Sequence, residues 1–208
     1  RRAGEPPAYA LVPPGIANYS DAAQAPYKAQ PMDERREEAR RLLAEAGYGP
    51  DNPLRFQFAY SNTQDTRRTA VSLQGMWKQI GVEATLSPSE TRVHYNLLRQ
   101  QDFDVAWAGW IADFNDAKNY LYLAETRSAD MNYSKYSSQQ FDDLIRQADA
   151  EPDGTRRAEL MSQAEQILLN DAPMVPVYFG MSRNLIQTYV KGFADNLTDI
   201  HRTRYMRI

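Results

Sequence analysis

The stretch from Trp107 through Ala108, Gly109, Trp110, Ile111, Ala112, Asp113, Phe114 and Asn115 to Asp116 holds the residue types best suited to chemistry. Two tryptophans followed by a carboxylate have three uses. The rings can wall a ligand while the carboxylate meets its cationic group. One ring can serve as a sugar platform beside a carboxylate dyad, Asp113 with Asp116. Asp113 can also simply cap a turn, with Asx-type chemistry toward Asn115. The dyad is the weakest of these, because both acids lie in one short loop, whereas glycosidase acids face each other from separate elements. Trp107 and Trp110 are read as sharing one face of a strand. Trp110 is expected to be the wall, and Trp107 is divided between wall and core.

Other reactive types are scarce. There is no cysteine, which removes disulfides, thiolate metal sites and a cysteine nucleophile. Of the two histidines, His94 falls mid-helix among polar neighbours, and no Gly-x-Ser-x-Gly elbow exists to complete a triad with it or His201. No P-loop or Gly-x-Gly-x-x-Gly occurs. No catalysis, metal or cofactor is therefore expected. The net charge of -3 is spread along the chain without a basic stripe, so no nucleic-acid partner is expected. Arginines lie beside glutamates, as in Glu34-Arg35-Arg36-Glu37-Glu38, and read as a solvated helix face. No run approaches the roughly 20 apolar residues that a membrane span needs.

The elements that must position these residues follow from periodicity. Dense prolines make residues 1–31 a loop-rich lead-in. Asp33 is expected to N-cap a helix with the stripe Ala39, Leu42, Leu43 and Ala46, stopped by Gly47. Leu54 to Tyr60 alternates as a strand. A helix from about Asp65 to Ile80 turns Val71, Leu73, Met76, Trp77 and Ile80 inward. Val82 to Leu86 is a strand, a third helix runs from Ser89 or Glu90 to about Arg99, and Phe103 to Trp110 is a strand entering the loop. This β-α-β-α-β order predicts helices packed on a mainly parallel sheet. Further on, Ser138 caps a helix with Phe141, Leu144, Ile145 and Ala148 on one face. Pro152-Asp153-Gly154 interrupts, and a longer helix carries Leu160, Ala164, Ile167 and Leu168. Met174 to Phe179 is predicted as a strand, with Pro176 marking an edge or a crossing point.

Several segments resemble the oligopeptide- and dipeptide-binding proteins of ABC importers, the family 5 extracellular solute-binding proteins. They are Arg41 to Tyr48, Trp77 to Val82, Ala108 to Asn115, Asn132 with Tyr136-Ser137-Ser138, Phe141 to Ile145, Arg156-Arg157, Ala164-Glu165 and Asp171 to Tyr178. No piece is specific alone; their order along the chain is. The resemblance implies one lobe of a two-lobe, class II periplasmic-binding-protein-like α/β fold, a mixed sheet flanked by helices, with a returning C-terminal tail. Residues 1–31 would lead in, 32–175 form the lobe, and 176–208 recross the hinge to the other lobe. The chain, opening on Arg1 rather than Met, is then expected to begin inside a longer, monomeric polypeptide whose precursor carries a signal peptide.

The implied function is capture of a peptide and its delivery to a membrane permease, in the periplasm or at the outer face of the cytoplasmic membrane. The same scaffold binding a sugar, an opine or a metal chelate is the alternative, although two histidines without cysteine count against the nickel-binding branch. Asp113 matches the aspartate that takes the peptide ammonium, with Trp110, Trp107 and Asn115 around it. The peptide carboxylate is harder to place. Oligopeptide-binding relatives carry an arginine three residues before the Gly-Trp tryptophan, where this chain has Trp107. Dipeptide-binding relatives use an arginine early in a helix, where Arg68 falls by its spacing to Trp77; Arg67 and Arg99 are further candidates.

Overall fold

Pairing of the three predicted strands organises the first of two compact units. The computed structural model describes residues 4–19, 22–128, 130–196 and 198–208. Of the described residues, those within 26–109 and 127–136 form one unit, and those within 4–25, 110–126 and 137–208 form the other.

In the first unit, strand β1 (Arg55–Ser61) lies between β2 (Glu83–Ser89) and β3 (Val105–Ala106), and both pairings are parallel. Helices α1 (Met32–Glu45), α2 (Gln64–Lys78) and α3 (Thr91–Gln100) alternate with the strands. The central strand is buried from Phe58 to Ser61, as a strand paired on both sides should be. Its alternate residues Phe56, Phe58 and Tyr60 share the core cluster with Ala70, Leu73, Trp77, Leu86, Val105 and Trp107. Trp77 meets Phe56 and Phe58 edge-on, with centroids 5.1 and 5.0 Å apart. That is the arrangement ring quadrupoles favour.

Local chemistry sets the helix starts. Thr63 and Thr66 form a reciprocal capping box for α2, and the Glu90 carboxylate accepts from the Arg92 and Val93 N–H groups at 2.9 and 3.2 Å. Pro31, not Asp33, is the N-cap of α1; Asp33 sits in its first turn. None of the expected α1 stripe is buried, and Leu42 is exposed. In α2 the inward face is shifted: Ala70 is buried, whereas Val71 and Met76 are exposed. The strand predicted over Phe103 to Trp110 pairs only at Val105–Ala106.

The second unit is built on α5 (Gln139–Ala150) packed against α6 (Gly154–Asp171), with a short helix α4 (Lys118–Leu121) and the 3-10 turn Tyr122–Ala124 beside them. Ser138 and Asp153 cap α5 and α6 by accepting from the Phe141 and Arg156 N–H groups. Phe141, Ile145 and Ala148 from α5 and Leu160, Met161, Ala164 and Leu168 from α6 form the core. The proline-rich lead-in is held by a fully buried carboxylate. Glu165 accepts from the Leu11 and Val12 N–H groups at 2.6 and 2.8 Å and from the Tyr19 hydroxyl. In place of the strand predicted over Met174 to Phe179 there is one antiparallel bridge, Pro7 with Tyr178. Pro176 has no N–H to extend it.

Candidate functional site

Trp110 begins the loop that carries the candidate acid. Its indole N–H donates to Asn119 Oδ1 at 2.7 Å, and its ring meets Tyr122 edge-on with centroids 5.6 Å apart. The Asp113 backbone N–H donates to the same Asn119 oxygen at 3.3 Å, and the Asp113 side chain is exposed. Among the described residues its carboxylate takes part in no hydrogen bond or ion pair. Asn115 is exposed as well, with its side-chain oxygen accepting the Ala17 N–H at 2.9 Å.

Three residues on, Asp116 is fully engaged. Arg157 donates to both its oxygens, at 2.8 and 2.9 Å, and the Lys118 N–H donates to Oδ1 at 2.8 Å. Burial alone would raise this carboxyl's pKa; the guanidinium and the amide outweigh it and hold the group below the usual carboxylate range. Lys118 in turn pairs with Glu125 at 2.8 Å and Asp149 at 2.7 Å. These ion pairs brace the base of the loop. A carboxylate bound bidentately to arginine is a poor general acid or base, so the Asp113–Asp116 dyad has no chemical support.

The remaining candidates belong to the first unit. Trp107 packs on the core cluster, and its N–H donates to Ala59 O at 2.8 Å. A shared strand face for Trp107 and Trp110 does not arise. The strand ends at Ala106, and residues three apart in a strand point to opposite sides in any case. Arg68, Arg67 and Arg99 are all exposed. Arg67 donates to Asn62 Oδ1 at 2.7 Å and Arg99 to Asn96 Oδ1 at 3.2 Å, while the Arg68 guanidinium has no partner among the described residues.

His94, set aside by sequence as mid-helix among polar neighbours, and Asn119, which the sequence did not single out, are both buried. His94 is 1% exposed, and its Nε2 lies 2.7 Å from the Trp107 carbonyl oxygen. A carbonyl only accepts, so the proton is on Nε2. Its spacing of four from Leu98, also buried, was the available signal. Asn119 is 1% exposed and carried no signal beyond an amide near the loop.

The fold is that of the periplasmic-binding-protein class, an α/β body with a parallel sheet between helices. The comparisons agree. Residues 2–132, more than half of the chain, match the family described as Bacterial extracellular solute-binding proteins, family 5 Middle. Over 204 residues the chain is 35% identical to the periplasmic oligopeptide-binding protein OppA of Salmonella typhimurium, covering 95% of this chain and 37% of that protein. It is 34% identical to the probable deoxycholate-binding periplasmic protein YgiS of Escherichia coli, covering 90% of this chain and 35% of that one. The crystal structure of Haemophilus influenzae OppA in complex with the peptide RPPGFSPFR superposes with a TM-score of 0.87 at 31% identity, over 99% of this chain and 41% of that one. The chain belongs to family 5 of the bacterial extracellular solute-binding proteins, a family of binders rather than enzymes. It spans well under half the length of these relatives.

Proposed function

We propose that this chain is part of the peptide-capture component of an ABC importer, working in the periplasm or at the outer face of the cytoplasmic membrane and handing its ligand to a permease. One observation carries the reading. Of the two acids in the loop, Asp116 is consumed by Arg157, while Asp113 is exposed and, among the described residues, unpaired, on a backbone held by Asn119. A free carboxylate so presented, beside an immobilised tryptophan, suits a ligand ammonium. Deoxycholate, named for one relative, is an anionic acid and brings no cation to Asp113. The ligand's carboxylate then requires an arginine, and Arg68, whose guanidinium is unengaged, is the first candidate ahead of Arg67 and Arg99. Residues 32–175 act as the binding lobe and the tail from 176 joins the other lobe of a monomeric full-length protein.

The test is Asp113→Asn in the full-length protein, followed by calorimetry. Truncating one partner of a buried charge pair costs about 3–5 kcal/mol, and each 1.4 kcal/mol is roughly tenfold in affinity. Free-amine peptides should therefore bind at least about a hundredfold more weakly, with N-acetylated peptides little changed. Equal affinity of mutant and wild type for free-amine peptides sinks the assignment. No catalysis accompanies binding. Peptides incubated with the protein should remain intact by mass spectrometry, and cleavage that disappears in Asp116→Ala would revive the hydrolase.

A further inference from the structure

We infer that Asn119 is a positioning residue for the ammonium site, a single buried amide oxygen that sets both the Trp110 ring and the Asp113 backbone; this rests on the reading of Asp113 above. Two N–H donors from different parts of the loop, the Trp110 indole at 2.7 Å and the Asp113 amide at 3.3 Å, converge on Asn119 Oδ1. Only an acceptor serves at that point, which fixes the orientation of the amide. With Asn119 1% exposed, water is not available to replace it.

Asn119 is itself held from the far side. It lies in the first turn of α4, and its N–H donates to the Asp116 carbonyl oxygen at 3.1 Å. The Asp116 side chain is clamped by Arg157 and caps the Lys118 amide. Order therefore passes from the Arg157–Asp116 pair through the start of α4 to Asn119, and from there to the two side chains that face the ligand. Ile111, between them, and Phe114, just after Asp113, are exposed and contribute little anchoring. Without Asn119 the wall and the carboxylate would no longer be held to a common point. A preorganised carboxylate is what lets an ammonium bind without the loop first being ordered.

The experiment uses full-length protein carrying Asn119→Ala, with calorimetry on a free-amine tripeptide and its N-acetylated form, in the wild-type and Asp113→Asn backgrounds. Asn119→Ala should weaken the free-amine peptide about tenfold, the lower end of what losing an outer partner does to a metal ligand. It should weaken the acetylated peptide less, through the Trp110 wall alone, and the difference between the two peptides should vanish once Asp113 is Asn. Equal weakening of both peptides, or none, overturns the inference while Asp113→Asn still discriminates between them. If Asp113→Asn weakens both peptides equally, or neither, the ammonium reading itself falls. A second measurement needs no substitution at Asn119. In wild-type protein the Trp110 indole proton, assigned by its absence in Trp110→Phe, should exchange slowly with solvent. Exchange at the rate of free indole overturns the proposal.

Discussion

Asp113 and Asp116 stand three residues apart in one loop and have opposite jobs, one facing solvent and one holding the loop to α6. Their substitutions should separate cleanly. Asp113→Asn removes no partner among the described residues, so stability should stay within about 0.5 kcal/mol. Asp116→Asn strands the Arg157 guanidinium at a half-buried position, and a loss of about 1–2 kcal/mol is expected after allowing for the water that reaches both groups. Urea unfolding of the full-length protein measures both. The pH dependence has a definite sign. Asp116 titrates below its ordinary 3.8 in the folded state. A carboxylate with a depressed folded pKa adds stability that is present above its unfolded value and lost as pH falls through the folded one. The gap between wild type and Asp116→Asn should be constant near neutrality and close as pH drops below 3.8. The position of Asp113 was legible because a strand end, a tryptophan and an acid leave a local signature. Asn119 and His94 were not, since each acts through a partner that only the folded chain brings near.

At the scale of elements, the parallel order and the caps Glu90 and Ser138 were readable, whereas the α1 cap was misplaced at Asp33 and neither Thr63 nor Asp153 was read as a cap. Thr63, Glu90, Ser138 and Asp153 each sit where an orphan N–H must be satisfied. Burial was less readable. The α1 stripe has the right period, yet none of it is buried among the described residues; periodicity shows which face is apolar, not how completely a neighbour covers it. The strand over Met174 to Phe179 failed for a related reason, because a β-pattern needs a partner edge and finds only the Pro7 bridge. Near the end of the chain, Lys191 and Arg207 pair through reciprocal backbone hydrogen bonds at 2.8 and 3.0 Å. Gly192 makes this possible: its φ is +80°, and a Cβ there would lie 1.9 Å from the Tyr205 carbonyl oxygen. Gly192→Ala must therefore part the two segments, at a local cost of about 1–3 kcal/mol. Amide exchange at Lys191 and Arg207 should rise while exchange in the β1 core stays unchanged. Equal exchange in mutant and wild type would show that the bridge is not held in solution.

For the whole molecule, the tail of the second unit carries several exposed large apolar side chains. Leu185 and Ile208 are 99% and 97% exposed, and Ile200, Tyr205, Tyr189 and Met181 also face solvent. Isolated apolar side chains on a surface are ordinary, but this many along one tail of about thirty residues is apolar surface that a partner surface could cover. Under the proposed two-lobe reading, the remainder of the full-length protein covers it and also closes over the ligand. The consequence for binding is quantitative. On the isolated chain the Asp113 carboxylate meets an ammonium in water, where an exposed pair is worth only about 0–1 kcal/mol. Closure that excludes water makes loss of either partner cost about 3–5 kcal/mol, provided the closing surface supplies the hydrogen bonds that offset desolvation of the pair. The ligand backbone would likewise lack hydrogen-bond partners on one side. The isolated 208-residue chain should therefore fold around its β1–β3 and α5–α6 cores yet bind peptides far more weakly than the full-length protein. It should also self-associate or bind a hydrophobic dye through the uncovered tail. Calorimetry and sedimentation on both forms provide the comparison. Comparable peptide affinities would place the whole site within this chain and discard closure as the source of affinity, even if Asp113 keeps its role.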